Sequence, residues 1–188
     1  MFLGCVILAA GNAVRFGENK LLARFRGRLL IEWILDAVPA DRLNAVVVVT
    51  QYAAVEALAA ARGFETLRNS APELGVSRSV VLGTEALAER CDGILFLVAD
   101  QPLLRRSTVE RLLDRFLEDP ERVVEPRAGE RRGNPCVFPA SLFPELLALR
   151  GDRAGRQLIR RYPELVTGVP VDPLELADVD TAADLASL

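Results

Sequence analysis

The feature that most constrains this chain is an apolar run near its amino terminus that leads directly into a glycine-flanked loop. Residues Cys5 to Ala10 are all apolar, which is typical of a strand buried on both faces of a sheet. The loop that follows carries Gly11 and Gly17. Both glycines allow the backbone to take positive φ angles and to lie close to an anion, so that consecutive N–H groups can point at it. The sequence therefore predicts a buried strand followed by a glycine-flanked loop whose backbone can approach an anion.

Two basic side chains belong to the same stretch. Arg15 offers a planar guanidinium between the glycines, and Lys20 offers a compact ammonium shortly after Gly17. The spacing matches neither the dinucleotide fingerprint G-x-G-x-x-G nor the P-loop G-x-x-x-x-G-K-[ST]. Two interpretations therefore stay open: a loop that binds phosphate groups, or an ordinary turn between a strand and a helix with two surface cations.

Beyond this loop, the apolar pattern alternates between the periods of helices and strands. This alternation predicts an α/β fold with helices on both faces of a mostly parallel sheet. No linker, internal repeat or low-complexity segment interrupts it, so residues 1–188 are expected to form a single domain. The predicted helices are 29–38, 53–62, one that runs to 88, 109–117, 142–149 and 157–162, and the predicted strands after the first are 45–50, 64–67, 93–99 and 166–171.

The composition favours small-molecule chemistry. Hydrophobic residues make up 51% of the chain, which suffices for a core, and the net charge of −3 argues against a nucleic-acid partner. No apolar run is long enough to span a membrane and the first one lacks a cleavage-type site, so we expect a cytoplasmic protein without membrane association. Cys5, Cys91 and Cys136 lack the spacing of a zinc site and are expected to be buried free thiols.

The absence of histidine narrows the chemistry further. The chain contains no histidine, which excludes histidine general bases, Ser-His-Asp triads and histidine-bound metals. What remains is catalysis by cations, carboxylates and the positioning of reactants.

Acidic residues at two distant places lack a packing role. Asp100 ends a wholly apolar run, at the sheet edge where the ligands of open α/β sheets bind. It could cap the following turn, but a role as a Mg²⁺ ligand explains it better. Near the carboxyl terminus, Thr181 and Asp184 are predicted to form the capping box of a last helix, which leaves Asp178 and Asp180 unexplained.

The residues alone do not decide the role of three polar segments. The segment 69–79 could cap the helix that follows it, or meet the edge of a nucleobase. The arginine-rich segment 123–138 has the composition of an irregular loop that closes on a short strand, either a solvated lid or part of a binding site. The arginines of segment 150–161, Arg156 among them, are expected to lie on solvated faces rather than to bind phosphate, and only Asp152 is singled out there.

Four separated motifs give the chain a resemblance to a known family. They are L-A-A-G-x-x-x-R-F-G-x-x-K at 8–20, D-Q-P-L at 100–103, R-G-N-P at 132–135 and D-V-D-T at 178–181. With these motifs the chain resembles the nucleotidyltransferases of the molybdenum-cofactor family, most closely the molybdenum cofactor cytidylyltransferases and their MobA-like relatives. The resemblance implies a three-layer α/β/α, Rossmann-like nucleotidyltransferase fold of the GT-A-like type.

The resemblance also implies a role for each matching residue. Arg15, Lys20 and Asp100 would be catalytic, and Asp100 and Asp180 would hold Mg²⁺, the expected cofactor. The nucleotide would be bound by Leu8, Ala9, Ala10, Gly11, Arg15, Gly17, Lys20, Asn69, Gly75 and Ser79. The acceptor would be bound by Gln101, Arg132, Gly133, Asn134 and Pro135.

The activity that the resemblance implies is the transfer of a nucleotidyl group to a phosphorylated acceptor, with release of pyrophosphate. Relatives with L-A-A-G tend to use CTP and those with L-A-G-G tend to use GTP, so Ala10 points to CTP, with a phosphorylated pterin, molybdopterin, as acceptor and a molybdoenzyme as client. The alternatives are a GTP-using guanylyltransferase, a sugar-phosphate nucleotidyltransferase and a non-catalytic factor that hands a pterin cofactor to a molybdenum hydroxylase. A nicotinamide dehydrogenase is disfavoured because the glycine fingerprint is missing.

Overall fold

The computed structural model describes residues 1–12, 19–152 and 155–188, which form a mostly parallel central sheet with helices on both faces. The predicted α/β fold is therefore confirmed. None of the described helices has the length and apolar content that a membrane span requires. The strands are β1 Leu3–Ala9, β2 Arg24–Phe25, β3 Arg28–Leu29, β4 Ala45–Thr50, β5 Glu65–Arg68, β6 Gly93–Val98, β7 Val123–Ala128, β8 Arg131–Arg132, β9 Cys136–Pro139 and β10 Val166–Pro170. The helices are α1 Leu30–Ala37, α2 Ala53–Ala60, α3 Val76–Leu87, α4 Arg106–Glu118, α5 Phe143–Leu147, α6 Arg156–Arg161 and α7 Ala182–Ser187.

The sheet places β1 near its centre, in the strand order β10-β7-β9-β6-β1-β4-β5, and β8 pairs with β7. β1 runs parallel to both of its neighbours, whereas β9 is antiparallel to β6 and β7. In the register of these pairs, Leu8 lies opposite Val49 of β4 and Val98 of β6. The carboxyl ends of β6, β1 and β4 therefore lie side by side at one edge of the sheet.

The apolar run of β1 is buried on both faces, as its composition predicts. Cys5 and Ile7 pack in the core on the side of α1, α2 and α4, and Val6 packs in the core on the side of α3, α5 and α6. All three side chains are fully buried. Because a strand between two helical layers has no solvent face, it shows no alternation of polar and apolar residues.

The segment 123–138 is more regular than its composition suggests. Instead of an irregular loop it forms β7, β8 and β9, with a turn at Gly129, where φ is 60°. Val124 pairs with Val137 across β7 and β9, and both are buried. The prediction of an irregular loop was wrong because these strands are short and carry charged residues and Pro126, which hide the strand pattern.

Helix α4 begins earlier than the spacing of its apolar residues predicts. The spacing places the first residue at Val109, but the helix starts at Arg106. The backbone N–H of Arg105 donates to Oε2 of Glu175 at 3.0 Å, and Glu175 is buried. A side chain from a distant part of the chain therefore satisfies this helix end, which no local pattern can reveal.

The three cysteines are buried free thiols. Burial raises the pKa of Cys5 and Cys91, and it raises the pKa of Cys136 to about 12. Because the thiolate is the reactive form, we expect the native protein at pH 8 to react slowly with Ellman's reagent, and all three thiols to react after denaturation in guanidinium. Rapid labelling of the native protein would contradict this packing.

Candidate active site

A cleft of about 590 Å³ opens at the carboxyl edge of the central strands. It extends from the ends of β1 and β6 to the start of α3. The predicted nucleotide-binding residues Arg15 and Gly17 lie outside the described residues. The other members of that predicted set all line this cleft: Leu8, Ala9, Ala10, Gly11, Lys20, Asn69, Gly75 and Ser79.

The side chain of Lys20 joins the two ends of the chain inside this cleft. Its Nζ donates to Oδ2 of Asp100 at 2.9 Å, to Oδ1 of Asp180 at 3.1 Å and to the carbonyl oxygen of Val179 at 2.8 Å. These three bonds use all the donors of an ammonium group. Lys20 is also the only lysine among the 23 basic residues of the chain.

The segment around Asp180 is itself fixed against the end of β6. The N–H of Val179 donates to the carbonyl oxygen of Asp100 at 2.9 Å. Thr181 and Asp184 form the capping box of α7, as the sequence predicts. The carboxylate of Asp180 is therefore held next to that of Asp100 by backbone contacts on both sides of it.

Burial and neighbouring carboxyl groups shift the pKa values of Lys20 and Asp178. Burial alone would lower the pKa of Lys20, but the charges and hydrogen bonds of Asp100 and Asp180 outweigh burial and raise it, so the ammonium is charged at neutral pH. Burial raises the pKa of Asp178, the charge of Asp100 raises it further, and a hydrogen bond from Gln101 opposes both effects. The ammonium of Lys20 thus bonds to the carboxylates of Asp100 and Asp180, and the carboxyl group of Asp178 lies within electrostatic range of both.

The two predicted metal ligands leave free oxygen atoms for a cation. Oδ1 of Asp100 is buried and has no hydrogen-bond partner among the described residues, and the side chain of Asp180 is 57% exposed. The described residues contain no group of three or more acidic or thiol side chains that could enclose a metal ion. Mg²⁺ does not need a cage of protein ligands, because it is commonly held by one or two carboxylates together with water and substrate phosphates. The pair of Asp100 and Asp180 therefore fits a Mg²⁺ ion.

The loop after β1 is held by the residues that follow β4. Nε2 of Gln51 donates to the carbonyl oxygen of Ala10 at 2.9 Å and to Oδ1 of Asn12 at 2.8 Å, and the hydroxyl of Tyr52 donates to the carbonyl oxygen of Gly11 at 2.9 Å. Gly11 does not use the positive φ that a glycine allows. No atom lies within 4 Å of the position that its Cβ would occupy, so the glycine keeps this part of the cleft open.

The far end of the cleft is built around the start of α3. Nδ2 of Asn69 donates to Oγ of Ser79 at 3.0 Å, and both side chains are buried. Gly75 has φ of 86°, and a Cβ there would lie 2.5 Å from Oδ1 of Asp152. Asp152 therefore packs directly on Gly75 and closes this end of the cleft, where it is part of the lining.

Residues 5–166 match the family model of the MobA-like NTP transferase domain. The chain belongs to this family. The family resemblance found in the motifs is therefore confirmed. The MobA-like NTP transferase family implies an enzyme of the nucleotidyltransferase type with a nucleoside triphosphate as substrate.

Two curated relatives of this MobA-like domain cover most of the chain. Nicotine blue oxidoreductase from Paenarthrobacter nicotinovorans is 31% identical over 192 residues, which cover 96% of this chain and 90% of that protein. The purine catabolism protein PucB from Bacillus subtilis (strain 168) is 31% identical over 189 residues, which cover 94% of this chain and 90% of that protein.

Solved structures share the same fold. Rv0371c from Mycobacterium tuberculosis superposes with a TM-score of 0.86 at 25% identity, over 100% of this chain and 96% of that one. A nucleotidyl transferase from Methanothermobacter thermautotroptrophicus superposes with a TM-score of 0.84 at 24% identity, over 99% of this chain and 95% of that one. The Rossmann-like nucleotidyltransferase fold implied by the motifs is therefore confirmed.

The residues predicted to bind the acceptor do not line the cleft of this MobA-like domain. Nε2 of the buried Gln101 donates to Oδ1 of Asp178 at 2.8 Å, and Nε of Arg132 donates to Oε1 of the buried Glu125 at 2.5 Å. Gly133 packs against Leu176, where a Cβ would lie 2.6 Å from Cδ2. Asn134 precedes Pro135 in a cis peptide bond and lines a smaller pocket beside the cleft. The acceptor role of these residues stays a prediction.

Several residues of the site were not predicted from the motifs. Gln51 and Tyr52 directly follow β4, at the same sheet edge as Asp100, so the rule that singled out Asp100 could also have found them. Asn12 and Glu73 line the cleft from loops without a recognisable pattern. Asp152, which the sequence singled out only weakly, belongs to the cleft lining.

Proposed function

We propose that this chain is a Mg²⁺-dependent cytidylyltransferase that transfers CMP from CTP to the phosphate monoester of a phosphorylated pterin, molybdopterin, and releases pyrophosphate. The observation that carries the proposal is the contact of Lys20 with Asp100 and Asp180 at the end of the loop after β1. It brings a cation for phosphate and two carboxylates for a metal ion to the same point of the cleft. Such a reaction uses the nucleotides of the cytoplasm, where we place the protein, and its product would be handed to a molybdoenzyme.

The chemistry requires positioning rather than proton transfer. An oxygen of the acceptor's phosphate forms a bond to the α-phosphorus of CTP, while the bond from that phosphorus to the bridging oxygen breaks and pyrophosphate leaves with the electron pair. Because a phosphate monoester is ionised near neutral pH, the nucleophile needs no general base. This agrees with a chain that lacks histidine.

The residues of the cleft have distinct parts in this proposal. Lys20 places its positive charge beside the phosphate groups and neutralises the charge that builds up on the leaving group. Asp100 and Asp180 would hold Mg²⁺, which when bound neutralises negative charge on the phosphate oxygens. Gln51 and Tyr52 hold the carbonyl groups of the loop after β1, so that the loop keeps one shape while the triphosphate lies on it.

Ala10 supports the choice of CTP through its place in the cleft. Its side chain is buried and lines the cleft directly after β1, where a methyl group narrows the space for a base and favours a pyrimidine over a purine. We expect Ala10→Gly to raise the ratio of kcat/KM for GTP to that for CTP about tenfold or more, the usual scale for one methyl group in a pocket. Steady-state pyrophosphate release with each nucleotide measures the ratio.

A strand alanine outside the cleft gives the control for this variant. Ala45 begins β4, is buried in the core on the side of α3 and does not line the cleft, so Ala45→Gly removes a buried methyl group and adds backbone flexibility without changing the base pocket. An unchanged ratio in Ala10→Gly, or an equal change in Ala45→Gly, would contradict the role of Ala10 in base selection.

The test of the whole proposal is a thermal-shift titration with CTP, GTP, ATP and UTP, with and without Mg²⁺, followed by a pyrophosphate assay with molybdopterin as acceptor. A ligand that binds only the folded protein raises its melting temperature, and we expect the largest rise with CTP and Mg²⁺. A preference for GTP would favour the guanylyltransferase. Turnover with a sugar phosphate instead of molybdopterin would favour that alternative, and binding of the pterin without pyrophosphate release would favour a non-catalytic factor.

One relative's name makes a redox activity the second candidate. Nicotine blue oxidoreductase matches nearly the whole chain, although this sequence has no G-x-G-x-x-G fingerprint. The thermal-shift series therefore includes NADH and NADPH. We expect no rise in melting temperature with either, and a rise larger than that with CTP would overturn the cytidylyltransferase proposal.

A further inference from the structure

A second, smaller pocket lies beside the cleft. It has a volume of about 70 Å³ and shares Leu8, Val76 and Val98 with the cleft, so that the two spaces adjoin. Its walls are mainly apolar and include Phe96 and Phe138, whose rings meet edge to face with centroids 5.9 Å apart. A water-sized group needs roughly 10–15 Å³, so the pocket has room for about six heavy atoms, the number in one ring.

The side chain of Arg156 lies at this pocket. Arg156 lines it, is exposed, and makes no hydrogen bond or ion pair with the residues that the structure describes. Arg132, which the motif resemblance assigns to the acceptor, pairs with Glu125 through its Nε and does not line this pocket. A guanidinium without a protein partner can bind phosphate through two parallel N–H bonds.

Arg156 also lies close to the carboxyl end of β6. It lines the small pocket together with Leu8 and Val98, which line the cleft as well. Val98 is the last residue of β6, two positions before Asp100. The guanidinium therefore belongs to a pocket that adjoins the part of the cleft where Asp100 lies.

An anionic acceptor needs a cation on this side of the cleft. Lys20 already donates to Asp100, Asp180 and the carbonyl oxygen of Val179, so its ammonium has no donor left for the phosphate of a second substrate. The nucleotide-binding residues extend from β1 towards α3, which leaves the space beside β6 and β9 for the second substrate. Arg156 and the small pocket occupy that space.

We infer that the small pocket binds the acceptor, taking an aromatic or heteroaromatic ring between its apolar walls, while Arg156 binds the phosphate monoester and places it near Asp100. The inference deepens the proposed function, on which it rests, because it names the subsite of the second substrate. It also selects a ring-bearing phosphate over a sugar phosphate, whose hydroxyl groups would lose their hydrogen bonds against these walls. Asn134 is the member of the predicted acceptor set that lines this pocket.

The test uses phenyl phosphate as the probe, because it combines one ring with a phosphate monoester. Isothermal titration of the full chain is expected to show that phenyl phosphate binds more tightly than inorganic phosphate, and that phenol, which lacks the phosphate, binds at least tenfold more weakly. Saturating CTP is expected to leave the affinity for phenyl phosphate unchanged or to increase it. Displacement of phenyl phosphate by CTP would place the probe in the nucleotide cleft and overturn the inference.

Two arginine variants locate the phosphate contact. Arg156→Gln is expected to weaken the binding of phenyl phosphate at least tenfold, without a change in the melting temperature or in the shift produced by CTP, and Arg156→Lys is expected to recover part of the loss. The matched control is Arg160→Gln, an exposed arginine on the same helix that lines neither space, for which no change is expected. Equal affinity in the wild type and Arg156→Gln, or no binding by the wild type, would overturn the inference.

The outcome is separable from that of the proposed function. Cytidylyltransfer fails as a proposal if CTP does not bind or if pyrophosphate is not released. The inference of an acceptor subsite is refuted if Arg156→Gln leaves the affinity for phenyl phosphate unchanged while CTP still binds. In the full reaction, Arg156→Gln is expected to raise the KM for molybdopterin at least tenfold and to leave the KM for CTP within twofold of the wild type, and the reverse pattern would count against the subsite.

Discussion

Replacing Lys20 by alanine is expected to lower turnover by more than about a hundredfold, the usual scale for losing one preorganised electrostatic contact. Its Nζ lies within 3.1 Å of Asp100, Asp180 and the carbonyl oxygen of Val179, and its charge is secured because the two carboxylates raise its pKa. The variant leaves the two carboxylates facing each other without a cation. We therefore expect the loss to appear in kcat as well as in KM, measured by pyrophosphate release at saturating CTP and Mg²⁺.

The variant Lys20→Arg separates charge from geometry. Every other basic residue of the chain is an arginine. A single guanidinium nitrogen cannot replace the ammonium of Lys20, because it cannot donate three bonds in the directions that the ammonium uses. We expect Lys20→Arg to recover less than about a tenth of the wild-type kcat. Near-complete recovery would show that charge alone is sufficient.

The control for Lys20 is a second cation that bridges two carboxylates, away from the cleft. Arg62 lies 2.9 Å from Asp36 and 3.8 Å from Glu32 and does not line the cleft. Arg62→Ala is expected to keep turnover within about twofold, since exposed ion pairs contribute only about 0–1 kcal/mol to stability. Wild-type turnover in Lys20→Ala would refute the proposed role of Lys20.

The parts of this fold that sequence predicted well are those in which local pattern and tertiary position agree. The apolar run of β1 can only lie between two helical layers, and Asp100 follows an equally apolar strand, so both fall at the carboxyl edge of a parallel sheet. The capping box of Thr181 and Asp184 is local and was found as predicted. Each of these features depends on neighbours within a few residues.

Features that depend on contacts between distant residues could not be predicted from local sequence patterns. The contact between Lys20 and Asp180 joins residues 160 positions apart, and the motif resemblance suggested it, whereas no spacing rule does. Glu125 gives no local sign that it is buried and holds Arg132, so the segment around it was taken for a loop. The lack of a hydrogen-bond or ion-pair partner for Arg156 among the described residues could not be predicted either, because pairing is a property of the folded chain.

Asp100 is the second position at which a large loss is expected. Its Oδ2 accepts from Lys20, its carbonyl oxygen accepts from Val179, and its Oδ1 is buried without a partner among the described residues. An oxygen without a partner in a buried place carries an unfavourable free energy that a bound cation would offset. A divalent cation bound to Oδ1 of Asp100 would therefore be favourable, because that oxygen has no other partner among the described residues.

We expect Asp100→Ala to lower turnover by more than about a hundredfold, and Asp100→Asn to lower it almost as much. Asparagine keeps the size of the side chain and an oxygen that can accept from Lys20, but it lacks the charge that holds a divalent cation. In both variants the rise in melting temperature produced by CTP should lose most of its dependence on Mg²⁺, whereas the rise with CTP alone should remain. Comparing the two readouts separates loss of the metal from loss of the nucleotide.

The matched control is Asp114→Asn, an exposed carboxylate of α4 that also pairs with a cation, Arg42, at 2.6 Å and does not line the cleft. It removes the same charge from the protein, so it corrects for any effect of net charge on the binding of an anionic nucleotide. We expect it to retain wild-type turnover and the full Mg²⁺ dependence of the thermal shift. If Asp100→Asn behaved as Asp114→Asn does, the carboxylate of Asp100 would have no part in the reaction, and the metal would have to be held elsewhere in the cleft.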